Sequence, residues 1–419
     1  MKTTFKFWGG LNKIGGNIME IRYGTDRIIF DFGRNYDPAD VLLSNAKGRE
    51  HSKVADMLRL KMIPHIEGIY EATHLKQANL DLTSVQDSTL NTAIFISHLH
   101  LDHMGAIEAL SPKLPIYMSK PAKELYDVLV SIGEEPEVPQ IKSFNFETPI
   151  QVGAIKLTPY QVDHDTVGVA SFLIETPDLK LLNSGDLRMH GQNPELNVAW
   201  MEKMAQEKVD FLMIEGTTFF PPSDAEERKR VEASEREIPT LLASKLQETL
   251  GVAFFNNYHR NIDRLNNLML GAKAANRTVV FEPETAKIVD HFLPGSHYVV
   301  LGQVDVSENP SAYLVQNSFE NIFNLVDYNL ENSLYIHTNG TPLGPFDPAY
   351  GSMLSFLETL EIEFMSLSIS GHASKDAILN IVDTIKPKTL IPWHSLAPET
   401  MLPLDPNQEV LLPRVDIWY

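Results

Sequence analysis

Residues 94–105 have the sequence Ile-Phe-Ile-Ser-His-Leu-His-Leu-Asp-His-Met-Gly, in which a short apolar run leads into a dense group of polar side chains. The apolar run predicts a buried strand. Four side chains after it are potential metal ligands: His98, His100, Asp102 and His103. Imidazole nitrogens suit Zn²⁺, and a carboxylate can hold a second metal beside the first. An isolated histidine on an apolar face is usually a packed core residue, but this density of ligands indicates a hydrolase with two metals.

The composition is that of an ordinary globular protein. The chain has 419 residues, 43% of them hydrophobic, no cysteine and a formal net charge of −20. Its length predicts about two to three domain-sized units, and no apolar stretch approaches the roughly 20 residues of a membrane span. We expect a cytoplasmic protein without a signal peptide or membrane partner. The absence of cysteine excludes disulfides, thiolate zinc sites and a cysteine nucleophile.

The acidic balance bears on possible substrates. A net charge of −20 argues against strong nonspecific binding to nucleic acid, which normally needs a basic face. A phosphodiester substrate is still compatible with this net charge. Two divalent ions bring more positive charge than two aspartate ligands bring negative charge, so the pocket would remain cationic.

Strand-like and helix-like segments alternate along the chain, which predicts α/β layers. The predicted strands that precede polar motifs are Thr92–His98, Ile155–His164, Leu179–Asp186 and Leu390–His394. The predicted helices include Ala106–Leu110, Arg260–Ala274 and Lys375–Ile385, and a weak boundary lies near Asn193–Trp200. The long segment Asp37–Thr89 predicts a lid or a subdomain. Residues 226–230, Glu-Glu-Arg-Lys-Arg, predict a solvated helical face.

Further potential ligands follow the later strands. His164 closes one apolar run, Asp186 another and His394 a third. Each of these residues alone is well explained as an ordinary polar strand end. In this order after the first cluster, however, the three residues complete the donor set that two metals need.

The order His-x-His-x-Asp-His, then His, Asp and His, resembles that of the metallo-β-lactamase fold hydrolases. The resemblance implies two divalent ions, with Zn²⁺ the expected metal and Mn²⁺ an alternative. It assigns the ligands as follows: His98, His100 and His164 hold one ion, Asp102, His103 and His394 hold the other, and Asp186 bridges them.

Three further motifs resemble those of the β-CASP nucleases within that fold family. They are Glu215 after a buried strand, His372 in residues 368–374, Ser-Ile-Ser-Gly-His-Ala-Ser, and His394 itself. The segment Asn-Tyr-His-Arg at 257–260 is similar to the Asn-x-His-Arg segment of the ribonuclease J family. Three features depart from that family: Ser368 stands where it has histidine, Ser395 follows the last metal histidine, and the sequence ends at Tyr419, before a further C-terminal domain.

The resemblance implies a metallo-β-lactamase αβ/βα four-layer sandwich with an inserted β-CASP α/β domain. We expect residues 1–200 and 375–419 to form the sandwich and residues 201–374 the insertion. The implied activity is hydrolysis of single-stranded RNA by a water shared between two metals. The enzyme would act from the 5′ end as an exonuclease, as an endonuclease, or as both. A homodimer is an assembly that the resemblance leaves open.

The resemblance also suggests roles around the metals. His372 suits proton donation to the leaving oxygen, Glu215 would orient it, and Asp102 counts among the catalytic residues as a metal ligand. The predicted phosphate contacts are Ser370, Gly371, Ala373 and Ser374, which precede a helix, and His259 and Arg260, which would line the RNA path. Ser374 is equally well explained as a helix N-cap. For Arg264 we favour a solvated helix face over the RNA path, and Arg188 and His190 are candidates for contacts behind the ligands.

Two other functions fit parts of the sequence. A metallohydrolase acting on DNA or a small phosphodiester would suit the acidic composition. A noncatalytic subunit of an RNA-processing complex is the third alternative, but such subunits typically lose metal ligands, whereas every ligand position is filled here. Within the β-CASP family, His394 and Glu215 resemble the RNA-acting members.

Overall fold

The computed structural model describes residues 1–35, 48–221 and 233–419. In these residues the chain forms nineteen strands. In chain order they are β1 (Thr3–Phe7), β2 (Met19–Tyr23), β3 (Asp26–Phe30), β4 (Asn91–Phe95), β5 (Ile116–Ser119), β6 (Ile141–Phe144), β7 (Ile150–Val152), β8 (Ile155–Gln161), β9 (Ala170–Glu175), β10 (Lys180–Asn183), β11 (Phe211–Glu215), β12 (Ala253–Asn257), β13 (Thr278–Phe281), β14 (Val299–Val300), β15 (Tyr313–Gln316), β16 (Leu334–Thr338), β17 (Glu363–Ser366), β18 (Thr389–Trp393) and β19 (Glu409–Val410).

The same described residues form ten α-helices. They are α1 (Lys53–Arg59), α2 (Ala72–Ala78), α3 (Leu101–Met104), α4 (Lys120–Ser131), α5 (Pro194–Glu207), α6 (Ile238–Glu248), α7 (Ile262–Ala274), α8 (Pro283–Phe292), α9 (Pro348–Thr359) and α10 (Lys375–Ile385). Within the described ranges, none of these helices combines the length and the apolar character that a membrane crossing requires.

The strands form three sheets. The first has the order β1 to β6, and the second has the order β19-β18-β11-β10-β9-β8-β7. These two sheets face each other across a shared core, in which the rings of Phe30 and Phe172 lie 5.1 Å apart. On the outer face of the second sheet, Trp200 of α5 packs with Ile378 and Ile381 of α10. Helices α1, α2 and α4 pack on the outer face of the first sheet. The predicted αβ/βα four-layer sandwich is therefore confirmed.

The third sheet is inserted into the second. Its six strands have the order β14-β13-β15-β12-β16-β17 and pair in parallel. All of its strands lie in the chain between β11 and β18, yet β11 and β18 pair directly, with Phe211 opposite Thr389. The predicted division at residues 200 and 374 stays a prediction. Helix α5 crosses residue 200, and the pairing of β11 with β18 keeps residues 211–215 in the sandwich.

Helix α10 illustrates how the sequence sets an element. Its buried residues are Ile378, Ile381, Val382 and Ile385, which recur at the spacing of one helical face. The hydroxyl of Ser374 accepts a hydrogen bond from the amide of Ala377 and caps the first turn. The helix ends at Lys386, which adopts the left-handed conformation. The predicted bounds of this helix are confirmed.

Several predicted bounds are wrong in an informative way. Strands β4, β8 and β10 each end three residues before His98, His164 and Asp186, respectively. Side chains on a strand alternate between two faces, so residues that must converge on one point have to leave the strand first. The predicted helix Ala106–Leu110 is only a 3₁₀ turn at Ile107–Ala109. The weak boundary near residue 193 is the start of α5.

The long segment before β4 is packed where it is described. Ile66, Ile69 and Tyr70 are fully buried and pack this part of the segment against the sandwich. The prediction of a lid or a subdomain stays a prediction. Residues 37–47 of the predicted lid lie outside the described residues. The predicted solvated face at 226–230 also lies outside them.

A buried charge network connects the insertion to the sandwich. Glu235 is fully buried and accepts hydrogen bonds from Arg264 Nε at 2.6 Å and Nη2 at 2.8 Å. It also accepts one from Arg188 Nη1 at 3.2 Å. Arg264 donates further to Thr338 and to the carbonyl oxygen of Leu367. The prediction of a solvated Arg264 is therefore wrong, because its guanidinium is neutralised inside the protein.

We expect Glu235→Gln to lower the free energy of unfolding by about 3–5 kcal/mol, because removing one member of a buried ion pair leaves the other charge uncompensated. Urea unfolding followed by circular dichroism measures the change. The control is Asp127→Asn, which removes the exposed Lys123–Asp127 pair on α4 and should cost no more than about 0.5 kcal/mol. Equal effects of the two substitutions would contradict the role of Glu235.

The pH dependence of folding stability provides a second test of the role of Glu235. Burial alone would raise the pKa of Glu235, but the charges and hydrogen bonds of Arg264 and the charge of Arg188 lower it below its ordinary value. Such a carboxylate stabilises the fold above its unfolded pKa of about 4.3, and this stabilisation is lost as the pH falls through the lowered folded pKa. The stability difference between the wild type and Glu235→Gln should therefore shrink as the pH is lowered toward about 3.

Candidate functional site

The polar residues that follow β4, β8, β10 and β18 meet at one edge of the two-sheet sandwich. Residues 98–103 follow β4, and His394 is the first residue after β18. The insertion reaches the same edge, because the Tyr258 ring lies 5.4 Å from that of His100. The site therefore lies where the sandwich and the insertion meet.

The first group of potential ligands contains His98, His100, His164 and Asp186, with ligand atoms all within 4.8 Å of one another. His98 Nε2 lies 3.0 Å from His100 Nδ1, and His164 Nε2 lies 3.3 Å from the same atom. Three ring nitrogens that converge this closely repel one another unless they share a proton or a cation. The donor chemistry fits a divalent transition metal.

The second group contains Asp102, His103 and His394, whose ligand atoms also lie within 4.8 Å of one another. Asp102 Oδ2 is 2.8 Å from His394 Nε2 and 3.6 Å from His103 Nε2. The structure thus brings together the seven predicted metal ligands in the two predicted groups. Their role as ligands stays a prediction.

Asp186 lies between the two groups. Its Oδ2 atom is 3.2 Å from His103 Nε2, 3.7 Å from His98 Nε2 and 4.0 Å from His164 Nε2. This buried oxygen has no aligned hydrogen-bond partner among the residues that the structure describes. A buried carboxylate oxygen without a partner is costly, and cations between the two groups would remove that cost. The residues at this site therefore fit divalent metal ions.

His103 is fixed from behind by a residue that the sequence analysis did not select. Asp31 lies just after β3 and accepts a hydrogen bond from His103 Nδ1 at 2.8 Å. The amide and hydroxyl of Ser97 donate to the same carboxylate at 2.7 and 3.0 Å. This arrangement directs His103 Nε2, which also lies 3.0 Å from Asn17 Nδ2, toward the site. The sequence does contain a feature that could have identified Asp31. It is a polar residue directly after β3, and because β3 and β4 are parallel, the residues that follow them lie at the same edge of the sheet.

Two other histidines are oriented in the same manner. His394 Nδ1 lies 2.6 Å from the hydroxyl of Thr217, which the sequence analysis also missed. His164 Nδ1 donates to the carbonyl oxygen of Gly371 at 2.5 Å. A carbonyl can only accept, so the neutral ring of His164 keeps its lone pair on Nε2. The loop that carries His372 is thus tied directly to a potential metal ligand.

Burial and neighbouring charges set the protonation of the site. Burial, with the charges of His103 and His100, holds the pKa of His98 well below its ordinary value, and burial lowers the pKa of His164 to about 3. Burial would raise the pKa of Asp102, but the charges of His103 and His394 lower it. For His103, burial acts to lower the pKa, and the carboxylates of Asp186, Asp102 and Asp31 raise it well above the ordinary value.

His372 and Glu215 meet beside the metal groups, as predicted. His372 Nδ1 lies 3.4 Å from Glu215 Oε1 and 3.8 Å from Asp186 Oδ2. Burial alone would lower the pKa of His372, but the charge of Glu215, with those of Asp186 and Asp165, raises it to about 9. Glu215 is itself held by the amide of Thr217, which donates to Oε2 at 2.9 Å. The Glu215 carboxylate therefore favours the protonated form of His372.

The predicted phosphate contacts differ in whether their polar groups are still available to a ligand. Ser370 Oγ accepts from the amide of His372 at 3.1 Å, and its own hydroxyl hydrogen can still donate to a ligand. The amide of Ala373 already donates to the carbonyl oxygen of Leu187 at 2.8 Å. This amide is therefore not available for the phosphate contact that the sequence predicts for Ala373. Ser374 has the N-cap role described for α10.

The predicted RNA-path residues hold the insertion against the sandwich. His259 Nε2 lies 2.9 Å from Glu134 Oε2. Arg260 is buried and donates to the carbonyl oxygen of Leu99 at 3.0 Å and to Glu135 Oε1 at 2.7 Å. Since its hydrogen bonds are already made within the protein, a direct substrate contact by Arg260 would have to replace them.

The two candidates for contacts behind the ligands also have partners. Arg188 belongs to the Glu235 network, and its Nε lies 3.8 Å from Asp163 Oδ1. His190 Nε2 donates to the carbonyl oxygen of Ser370 at 2.9 Å. The loop before His372 is thus held at two consecutive carbonyls, by His190 and His164.

Comparisons with known proteins agree with this geometry. A model of the beta-lactamase superfamily domain matches residues 74–228. Ribonuclease J of Mycoplasma pneumoniae and that of Thermus thermophilus are each 21% identical over 92% of this chain and 67% of their own length. Ribonuclease J of Mycoplasma genitalium is 24% identical over 62% of this chain, but only 40% of that relative is covered.

A solved structure extends the similarity to the whole chain. The crystal structure of a protein of unknown function from Enterococcus faecalis V583 is 29% identical, covers 100% of both chains and gives a TM-score of 0.82. Endoribonuclease YSH1 of Gibberella zeae is 25% identical over 30% of this chain. The chain spans 40% to 67% of the length of the ribonuclease J relatives named above.

The fold is of the metallo-β-lactamase type, in agreement with the matched domain model. Within that type, the predicted resemblance to the ribonuclease J-like proteins is confirmed over 92% of the chain.

We expect Asp31→Asn to weaken divalent-metal binding about 10–100-fold, because outer partners of metal-binding histidines typically contribute this much. Asn is a suitable replacement, since Asp31 has a φ of 57° and Asn tolerates the left-handed conformation. Competition with a chromophoric chelator measures Zn²⁺ affinity at equilibrium. Asp127→Asn on the remote surface of α4 should leave the affinity unchanged. An unaltered affinity in Asp31→Asn would show that His103 needs no support.

Proposed function

We propose that this protein is a metal-dependent ribonuclease that hydrolyses the phosphodiester bonds of single-stranded RNA. The observation that carries the proposal is the unpartnered Asp186 carboxylate between the two ligand groups, with His372 beside it. The names of the relatives, ribonuclease J and endoribonuclease YSH1, support RNA as the polymer. A role as an exonuclease or endonuclease in RNA processing or decay, in the cytoplasm and with a homodimeric assembly, stays a prediction.

The proposed site holds two divalent cations. The first position would use His98, His100 and His164, the second would use Asp102, His103 and His394, and Asp186 would be shared. Zn²⁺ is the expected ion and Mn²⁺ the alternative, because both accept imidazole and carboxylate donors. When bound, such ions lower the pKa of water and offset the negative charge of a phosphate.

The protein side chains supply the proton transfer and the orientation. The charge of Glu215 favours the protonated form of His372, and this imidazole lies at the same edge as the ligands. It would donate that proton to the oxygen that leaves the scissile phosphorus. Glu215 would keep the imidazole oriented and stabilise its charged form, while the hydroxyl of Ser370 would contact a phosphate oxygen. The products would be a 5′-phosphate and a 3′-hydroxyl.

The proposed activity is tested with matched polymers. Purified protein with added Zn²⁺ or Mn²⁺ should cleave 5′-monophosphorylated single-stranded RNA and leave DNA of the same sequence intact. Asp186→Ala should abolish cleavage, because it removes the carboxylate that both ligand groups share. Denaturing gel electrophoresis separates mononucleotide release, which indicates an exonuclease, from internal fragments, which indicate an endonuclease.

Other outcomes assign the alternatives. Cleavage of DNA instead of RNA would overturn the choice of polymer. If the wild type binds two metals but both polymers stay intact, a small phosphodiester becomes the substrate class, in agreement with the net charge of −20. A wild type that binds no divalent metal would support the noncatalytic alternative.

We expect His372→Ala to lower the rate of the chemical step by about 10²–10⁴, the usual contribution of a general acid. Metal content should stay at the wild-type level, because all seven side chains of the two ligand groups are retained. Single-turnover cleavage together with metal analysis separates the two effects. Glu215→Gln should cause a smaller loss and should move the alkaline limb of the pH–rate profile to lower pH, since it removes the main charge that raises the pKa of His372. A rate that His372→Ala leaves unchanged would exclude the acid role.

A further inference from the structure

Asp165 is a carboxylate at the metal site that the sequence motifs do not assign. It follows His164 directly and lies on the side of the first ligand group. Its Oδ1 atom is 3.2 Å from His164 Nε2, a nitrogen of the first ligand group. The same oxygen is 3.1 Å from His100 Nε2, the ring nitrogen opposite the Nδ1 atom that belongs to that group. Neither contact has the alignment of a hydrogen bond, and Oδ1 is a buried atom without a hydrogen-bond partner in the described part of the chain. Asp186 Oδ2 has the same properties.

The contact with His164 is unfavourable as it stands. His164 Nδ1 donates to the carbonyl oxygen of Gly371, so the neutral ring directs a lone pair from Nε2 toward its surroundings. The anionic Oδ1 of Asp165 lies 3.2 Å from this Nε2 atom. Two electron-rich atoms at this distance repel each other, and a cation in contact with both would convert the repulsion into attraction.

The neighbouring carboxylate provides an internal comparison. Asp163 lies on the other side of His164 in the sequence, and it has structural partners. Its Oδ2 accepts from the amide of Asn193 at 2.8 Å, and Oδ1 lies 3.8 Å from Arg188 Nε. The two aspartates therefore differ in their contacts. Asp163 is hydrogen-bonded to Asn193 and lies near Arg188, whereas Asp165 Oδ1 lies beside the imidazoles of the first ligand group.

The loop of His372 confines Asp165 to this position. A Cβ atom added to Gly371 would lie 2.6 Å from Asp165 Oδ2 and 2.8 Å from its Cγ. The absence of a side chain at Gly371 therefore makes room for the carboxylate, and any larger residue there would displace it. Asp165 is held against the ligand group on one side and against the Gly371 backbone on the other.

We propose that Asp165 supplies a carboxylate oxygen to the cation held by His98, His100 and His164. This inference rests on the proposed metal site and deepens it, because the first position then combines three imidazoles with two carboxylates. An additional anionic oxygen favours cations that prefer oxygen donors and higher coordination numbers. Asp165 thereby increases the affinity of the first position for Mn²⁺ relative to a site with one carboxylate.

The test measures metal binding without any nuclease assay. Metal-free wild type, Asp165→Asn and the matched control Asp163→Asn are titrated with Mn²⁺ by equilibrium dialysis, and the visible spectrum of bound Co²⁺ reports the coordination at the site. We expect Asp165→Asn to lower Mn²⁺ affinity at one of two positions by at least about tenfold and to alter the Co²⁺ spectrum. Asp163→Asn should change neither measurement.

The outcomes separate this inference from the proposed function. Two bound ions in the wild type, with the same affinities and Co²⁺ spectrum in Asp165→Asn, would overturn the role of Asp165 and leave the proposed function standing. A wild type that binds no divalent ion would overturn both. Circular dichroism of the metal-free variants checks their folding, and Asp165→Ser provides the same test if the asparagine variant does not fold. Gly371→Ala should reproduce the loss of Mn²⁺ affinity, because it displaces the Asp165 carboxylate.

Discussion

A carboxylate is stable in a protein interior only where positive charge or aligned donors meet it. In this protein the requirement is concentrated at Asp186, whose buried oxygen lies among imidazoles delivered by two different strand ends. The surrounding architecture serves to keep those imidazoles in place. Asp31, Thr217 and the carbonyl of Gly371 each orient one ring from behind, so the fold fixes the orientation of His103, His394 and His164.

The insertion depends on the sandwich through a second buried charge system. Glu235 neutralises two guanidinium groups, one from the sandwich and one from α7. Arg188 stands two residues after Asp186 in the chain, so the network that holds the insertion begins beside the metal site. The position of the insertion and the geometry of the site are consequently set by neighbouring residues of one loop. This explains how a domain inserted between two paired strands can be placed accurately over the edge that carries the potential metal ligands.

The sequence predicts which side chains converge at this edge, but it does not predict the residues that support them, and the reason is physical. His98, His100, Asp102 and His103 lie within six residues, so their chemistry is visible in local spacing. His164, Asp186 and His394 end apolar runs, which marks them as side chains at one edge of a sheet. Asp31 and Thr217 have no such local mark, because their importance comes only from the ring that each contacts across the fold.

The wrong predictions have the same origin. Arg264 has the sequence context of an exposed helical position, and only Glu235, twenty-nine residues away, explains its burial. The amide of Ala373 precedes a helix as a phosphate-binding amide would, but the carbonyl of Leu187 has already taken its hydrogen. Contacts of this kind depend on pairing between distant segments, which local periodicity does not report.

The hydrogen bond from Arg260 to Leu99 links the position of the insertion to the geometry of the site. Leu99 stands between two ligand histidines, and Arg260 belongs to the insertion, so parting the two domains pulls directly on the backbone between His98 and His100. Hydrogen bonds to charged groups contribute about 1.5–3 kcal/mol each. Any movement of the insertion that lengthens this bond would also shift the two imidazoles, so the position of the insertion and the spacing of the potential ligands change together.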